Sequence, residues 1–115
     1  MVYTGSCHCG LVTFQVEGGP IDHVVECNCS ICSKRGSLFW FVPGDKLRLT
    51  SNADLSTYTF NTHTIRHRFC PVCGILPFGQ GTDKTGKSIA AINVRCLNDI
   101  DLSSIKKTPF DGRSL

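Results

Sequence analysis

The chain has 115 residues, 18% charged and 41% hydrophobic, with a formal net charge of +3. That length suits one domain, residues 1–115, whose modest core a cross-link or a metal would reinforce. Apolar runs no longer than a strand exclude a transmembrane helix, and the opening MVYTGSCHCG lacks the basic-then-apolar order of a signal peptide, so a cytoplasmic location with no membrane partner is expected.

A first pair of thiols, Cys7 and Cys9 in CHC, precedes LVTFQVE at 11–17. There Val12, Phe14 and Val16 alternate with Thr13, Gln15 and Glu17, the period of a half-buried strand, and Gly18-Gly19-Pro20 ends it. If CHC is extended as well, Cys7 and Cys9 share a face and His8 turns away. HVVEC at 23–27 is β-branched and runs into CNCSIC at 27–32, three thiols in six positions. LFWFV at 38–42 is a continuous apolar run stopped by Pro43-Gly44. Further strands are expected at 47–50 (LRLT), 56–60 (STYTF), 64–70 (TIRHRFC) and 88–96 (SIAAINVRC). GQGTDKTGK at 79–87 lacks the spacing of a phosphate loop and a helix after it, so it reads as a turn. No segment has a helical period, although DLSSIKK near the end suits one short helical turn. The expected fold class is therefore all-β, a small β-sheet domain with thiols at strand ends.

Eight cysteines in so short a chain would suggest a disulfide scaffold in a secreted protein, whereas without an export signal they read as metal ligands or catalytic thiols. Residues two or three apart along the chain rarely meet the Cα separation of a disulfide without strain, yet two thiolates grip one ion comfortably. Soft thiolate ligands point to zinc, with iron a minor alternative. Seven clustered thiolates on two Zn²⁺ ions would cancel the formal +3. A neutral holo-protein is a poor general nucleic-acid binder, because such affinity comes from excess cation neutralising phosphate.

Cys70 and Cys73 in FCPVCG fit a zinc knuckle, with Pro71 helping to set the turn and Gly74 free to take a conformation closed to other residues. Joined to Cys7 and Cys9, they would complete a four-thiolate structural site, although spacing leaves open which pair joins which. Cys27, Cys29 and Cys32 have no obvious fourth partner. A structural zinc fills all four positions with protein and a catalytic zinc keeps one open, so three thiolates suggest reaction. The alternative is a fourth protein ligand, from His8, His23, His63, His67 or Cys96. A three-thiolate zinc carries a formal charge of about −1 and should acidify water poorly. It suits holding an incoming thiol as a thiolate, and hence addition of sulfur to a small carbonyl or the reverse.

Lys34 and Arg35 stand beside that cluster, and Arg66 and Arg68 alternate with Ile65, His67 and Phe69 on the approach to Cys70. These four cations are candidates to receive substrate carboxylates, against the alternative that they are solvated surface balancing the thiolates. Ile65 and Phe69 are expected to face the core. Cys96 follows Ala90, Ile92 and Val94 at strand spacing and reads as a small core residue, and His67 as a hydrogen-bonded core histidine. Phe39, Trp40 and Phe41 are expected to divide between the core and a pocket wall beside the zinc cluster.

GSCHCGLVTF, ECNCSICSKRGS, HRFCPVCG and INVRCL, in that order along nearly the whole chain, resemble the glutathione-dependent formaldehyde-activating enzyme family, the Gfa-like or CENP-V group. The resemblance implies an Mss4-like zinc-binding β-sheet fold. It implies a structural zinc on Cys7, Cys9, Cys70 and Cys73 and a catalytic zinc on Cys27, Cys29 and Cys32. It further implies carbon–sulfur lyase activity, in which formaldehyde and glutathione form S-hydroxymethylglutathione, so that the partner is a small-molecule thiol or thiol–aldehyde adduct. The rival expectation is a noncatalytic zinc module that docks another protein or a nucleic acid.

Overall fold

The computed structural model describes residues 1–52, 54–60 and 64–111. Within them ten short strands run in chain order: β1 (Val2–Ser6), β2 (Thr13–Glu17), β3 (His23–Cys27), β4 (Phe39–Pro43), β5 (Leu47–Leu49), β6 (Ser56–Tyr58), β7 (Arg66–Phe69), β8 (Phe78–Thr82), β9 (Ser88–Asn93) and β10 (Lys106–Phe110). One short helix, α1 (Cys32–Arg35), lies between β3 and β4. A three-stranded antiparallel sheet has the order β1-β2-β5, and a seven-stranded sheet the order β10-β3-β4-β9-β8-β7-β6. All pairings are antiparallel except β10 with β3, which is parallel. The protein is thus all-β, as its periodicity predicts.

Because side chains alternate along each strand, Phe14 and Val16 of β2 point inward and are fully buried. The Phe14 ring meets Phe78 of the larger sheet edge-on, with centroids 5.7 Å apart and planes at 73°. Val24, Leu38, Val42, Ala90, Ile92, Val94 and Leu97 complete this core between the sheets. Burying each of the larger side chains contributes roughly 1.5–3 kcal/mol, so this packing helps join the two sheets, together with the Asn98 N–H on the Thr4 carbonyl at 2.8 Å.

Cross-strand pairing then decides what the other face of the large sheet carries. Trp40 is opposite Ile92, and Ile92 opposite Phe78, so these residues share the core face. One residue along, Phe41 pairs with Ala91, Ala91 with Gly79 and Gly79 with His67, a row that crosses four strands on the far face. Val25 pairs with Phe39, and Cys27 with Phe110, continuing that face toward the thiols.

Several details depart from the periodicity. CHC is not extended: β1 ends at Ser6 and the chain bends through residues 8–12, closed by the Cys7 N–H donating to the Val12 carbonyl at 3.1 Å. Residues 79–82 belong to β8, and only the rest of 79–87 is turn, where the Asp83 carboxylate accepts the N–H groups of Thr85 and Lys87. β9 stops at Asn93, whose side chain accepts the Arg95 N–H and opens a 3₁₀ turn over Val94–Cys96. DLSSIKK makes a 3₁₀ turn at Leu102–Ser104 and then enters β10. No described helix is long and apolar enough to cross a membrane.

Candidate metal centres and the cavity beside them

The first thiol cluster is built where the turn after β1 meets the turn after β7. Cys70 and Cys73 form a knuckle in which the Gly74 N–H returns to the Cys70 carbonyl at 2.9 Å while Gly74 takes a φ of +80°, a conformation that strains any residue with a Cβ. Backbone N–H groups of Val72 and Cys73 point at the Cys70 sulfur at 3.4 Å, and that of Val12 points at the Cys7 sulfur at 3.4 Å. The Cys9 sulfur lies 3.7 Å from both the Cys7 and the Cys70 sulfurs. The four sulfurs of Cys7, Cys9, Cys70 and Cys73 lie within 4.8 Å of one another. Tetrahedral zinc with Zn–S bonds of about 2.3 Å sets its sulfurs about 3.8 Å apart, so this spacing fits the ion. All eight cysteines are free thiols.

The protons in this cluster are held unequally. N–H donation, first from Ile75 and then from Cys9, lowers the Cys73 thiol to about 6. The Leu11 N–H acts in the same direction on Cys9, but desolvation and the neighbouring thiols outweigh it and raise Cys9 to about 11. Hydrogen bonding among the thiols thus favours the thiolate of Cys73 and the protonated form of Cys9.

The second cluster is local. Cys27 ends β3, Cys29 follows in the turn, and Cys32 starts α1. This turn is held by the N–H of Ser33 on the Cys29 carbonyl at 2.9 Å and of Gly36 on the Cys32 carbonyl at 2.9 Å. The Asn28 N–H bonds the Phe110 carbonyl at 3.1 Å, tying the turn to the end of β10. The Cys29 N–H points at the Cys27 sulfur at 3.4 Å. Burial raises Cys32, and the Cys29 and Cys27 thiols add to it, whereas on Cys29 the N–H of Cys32 and the adjacent thiols overcome burial and lower it. The three sulfurs lie within 4.8 Å of one another, and among the described residues no fourth Cys, His, Asp or Glu atom joins them. His63 lies outside the described residues. Cys96 sits toward the other cluster, its thiol pushed up to about 11 by burial and then by Cys7 and Cys73, and it donates to the Leu76 carbonyl at 3.7 Å. Both clusters could hold a metal ion, and their thiol donors are compatible with zinc.

A cavity of about 500 Å³ opens beside Cys27, Cys29 and Cys32, on the far face of the large sheet. Its floor is Gly79 and Ala91, and Phe39, Phe41, Phe60 and Phe110 stand around it. Trp40 points the other way and packs edge-on against Tyr3, with centroids 5.4 Å apart. The aromatic triplet thus divides between the core and the cavity wall, as expected. On the opposite side of the thiols a groove of about 480 Å³ is lined by Glu26, Asn28, Ser33, Ser37 and Asp111, with Cys27, Cys32 and Phe110 bordering both spaces.

His67 lines the cavity, is only 8% exposed, and stacks on Phe60 with centroids 5.4 Å apart. It is buried, as expected, and among the described residues neither of its ring nitrogens has a protein hydrogen-bond partner. Burial, and then the charge of Arg35, hold its pKa below the ordinary imidazole value, which keeps the ring neutral at pH 7. Ile65 also borders the cavity, 52% exposed instead of packed in the core. The same alternation turns Arg66 and Arg68 to the opposite face, where Arg68 donates to the Gln80 side chain at 2.9 Å. Of the four candidate cations, only Lys34 and Arg35 lie on the segment that carries the three thiols. The odd-numbered parity of Ile65, His67 and Phe69 was the available signal for placing His67 away from the arginines. Nothing local marked Gly79, Ala91 or Phe110.

Over 91% of its length the chain superimposes on 99% of a crystal structure of a Rhodobacter sphaeroides protein, with a TM-score of 0.78 at 30% identity. A Talaromyces marneffei protein named for glutathione-dependent formaldehyde activation is 37% identical over 79 residues, which take in 64% of this chain and 42% of that protein. The chain therefore spans less than half the length of this curated relative. The model of the family described as glutathione-dependent formaldehyde-activating enzyme matches residues 2–109, a span that includes both thiol clusters and all of the cavity's walls but the last residue of β10, and the chain belongs to that family.

Proposed function

We propose that the chain is a zinc-dependent carbon–sulfur lyase that forms or cleaves adducts between a thiol, such as glutathione, and a small aldehyde, such as formaldehyde. The observation that carries this reading is the three-thiol cluster with no fourth ligand among the described residues, facing a cavity. Cys27, Cys29 and Cys32 would hold the catalytic zinc, and Cys7, Cys9, Cys70 and Cys73 a structural one, two ions per chain. A zinc ion held by three thiolates supplies a soft Lewis acid with one position for an incoming sulfur.

The residues of the chain do the rest. The sheet face closes one side of the thiols against water, which strengthens polar interactions at the reacting atoms. Lys34 and Arg35 receive the carboxylates of an acidic thiol at the edge of the cluster, and the groove with Glu26 and Ser33 takes its remaining polar groups. His67, neutral and without a protein partner among the described residues, offers a hydrogen bond to the aldehyde oxygen. In the forward direction a C–S bond forms, the carbonyl π pair moves to oxygen, and that oxygen takes the proton the thiol released.

Exchange between free and adducted aldehyde, followed by NMR with zinc-loaded protein, tests this. Cys29→Ser should keep the fold, because the cluster is local, and slow exchange at least ~100-fold. Were no common small thiol accelerated by the parent protein, the noncatalytic zinc module would be the better description.

A further inference from the structure

The cavity beside the three thiols is far larger and more apolar than a one-carbon aldehyde requires. Its volume of about 500 Å³ is that of a site for a ligand of many heavy atoms. Two observations show that it is built for apolar contents. The sheet row Phe41–Ala91–Gly79–His67 places its two smallest side chains side by side, which hollows the floor between larger neighbours. Around that hollow Phe41, Ile65 and Phe110 remain 54%, 52% and 48% exposed. Single exposed apolar residues need no explanation, but three around one cleft mark a surface that a ligand covers. No Lys, Arg, Asp or Glu among the described residues lines it. The charge of Arg35 reaches His67 from α1, outside the lining, so the charged groups of glutathione would find a cation at that edge but lose their hydration deeper in, and formaldehyde would leave most of the walls wet.

We propose that this cavity binds the carbon skeleton of an apolar aldehyde, with the carbonyl at Cys27, Cys29 and Cys32 and the charged part of the thiol partner outside at α1. The chemistry rests on the lyase reading above, whereas the binding does not. The thiolate sulfur adds to the carbonyl carbon, so that one C–S bond forms. The carbonyl π pair goes to oxygen, which is protonated by the proton the thiol gave up, leaving a hemithioacetal with no change of oxidation state. Cleavage is the reverse. Among the described residues His67 is the one ring in the wall with nitrogens able to bond that oxygen.

Two measurements on the zinc-loaded protein test the idea. In the first, glutathione is paired with phenylacetaldehyde or with formaldehyde and adduct exchange is followed by NMR. Each buried methylene contributes roughly fourfold to affinity, so after the loss from ordering the ring, kcat/KM should favour phenylacetaldehyde at least tenfold. Ala91→Leu, which fills the floor, should reduce that preference tenfold or more. Equal or better turnover of formaldehyde by the parent overturns the proposal and leaves the lyase reading standing. In the second, 2-phenylethanol, which cannot react, is titrated against the parent protein. Saturable shifts at the amides of Val25, Phe41 and Ala91 support the proposal even if neither aldehyde is turned over, the result that would sink the lyase reading instead. No saturable binding at millimolar alcohol overturns the proposal, as does a dimer in sedimentation whose contact covers the same amides.

Discussion

The two thiol clusters use the same donor atom in opposite ways. Cys9 and Cys70 are 61 positions apart, and their sulfurs meet at 3.7 Å only because the turn after β1 has docked on the turn after β7. Cys27, Cys29 and Cys32 span a single turn and come together from local backbone hydrogen bonds. A metal at the first cluster therefore closes a long loop and fastens the small sheet to the large one, whereas a metal at the second closes almost nothing. Loop-closure entropy alone makes the first link worth about 2 kcal/mol more. Burial follows that division in part. Cys7 and Cys70 are buried and pack with Val12 as a small core of their own, whereas Cys9 is exposed and Cys73 is partly accessible, as are all three thiols of the second cluster. On the proposed reading, a metal in the first cluster would hold the fold and one in the second would be the more exchangeable.

The largest test of this contrast is Cys70→Ser. It removes a buried ligand from the long-range cage, and it should destabilise the protein by more than about 4 kcal/mol or prevent folding, read by thermal and chemical unfolding. A variant that melts like the parent would mean that the cage does not carry the fold. Next in size is the order of metal loss. A chelator should strip the accessible three-thiol cluster at least ~10 times faster than the cage, with zinc release in two phases and circular dichroism changing only in the second. Release in one phase, with unfolding, would erase the distinction. A smaller effect is expected from Arg35→Ala, which should raise KM for glutathione about 3–10-fold while leaving an uncharged thiol such as 2-mercaptoethanol unaffected, whereas Arg68→Ala should change neither. The smallest concerns acid. The pKa of His67 is depressed in the folded chain, so the stability tied to its neutral form is fully present above the unfolded value near 6.5 and is lost as pH falls below it. His67→Phe should therefore make the fall in stability below about pH 6.5 shallower than in the parent, measured by urea unfolding.

Much of this was legible in residue order, because the signals concerned are local. The alternation of Val12, Phe14 and Val16 marks β2, the apolar run at 38–42 marks β4, and thiol spacing sorts seven of the eight cysteines into tight groups. β8 and β10 were not legible, for opposite reasons. β8 carries two glycines and no apolar alternation, and β10 is an edge strand with two lysines and a proline that is held by its parallel pairing to β3. Helix α1 is a single turn, too short to show a period.

By itself the sequence determined that thiols would cluster, that strands would dominate, and that cations would stand beside the CNCSIC segment. Each follows from residue type and spacing within a few positions, where backbone geometry leaves few choices. The tertiary structure alone decided which pairs of thiols meet, which face of the large sheet is left bare, and that Gly79, Ala91, His67 and Phe110 surround one space next to the sulfurs. Those outcomes depend on strand register between segments far apart in the chain, where a shift of one residue would turn every side chain to the other face.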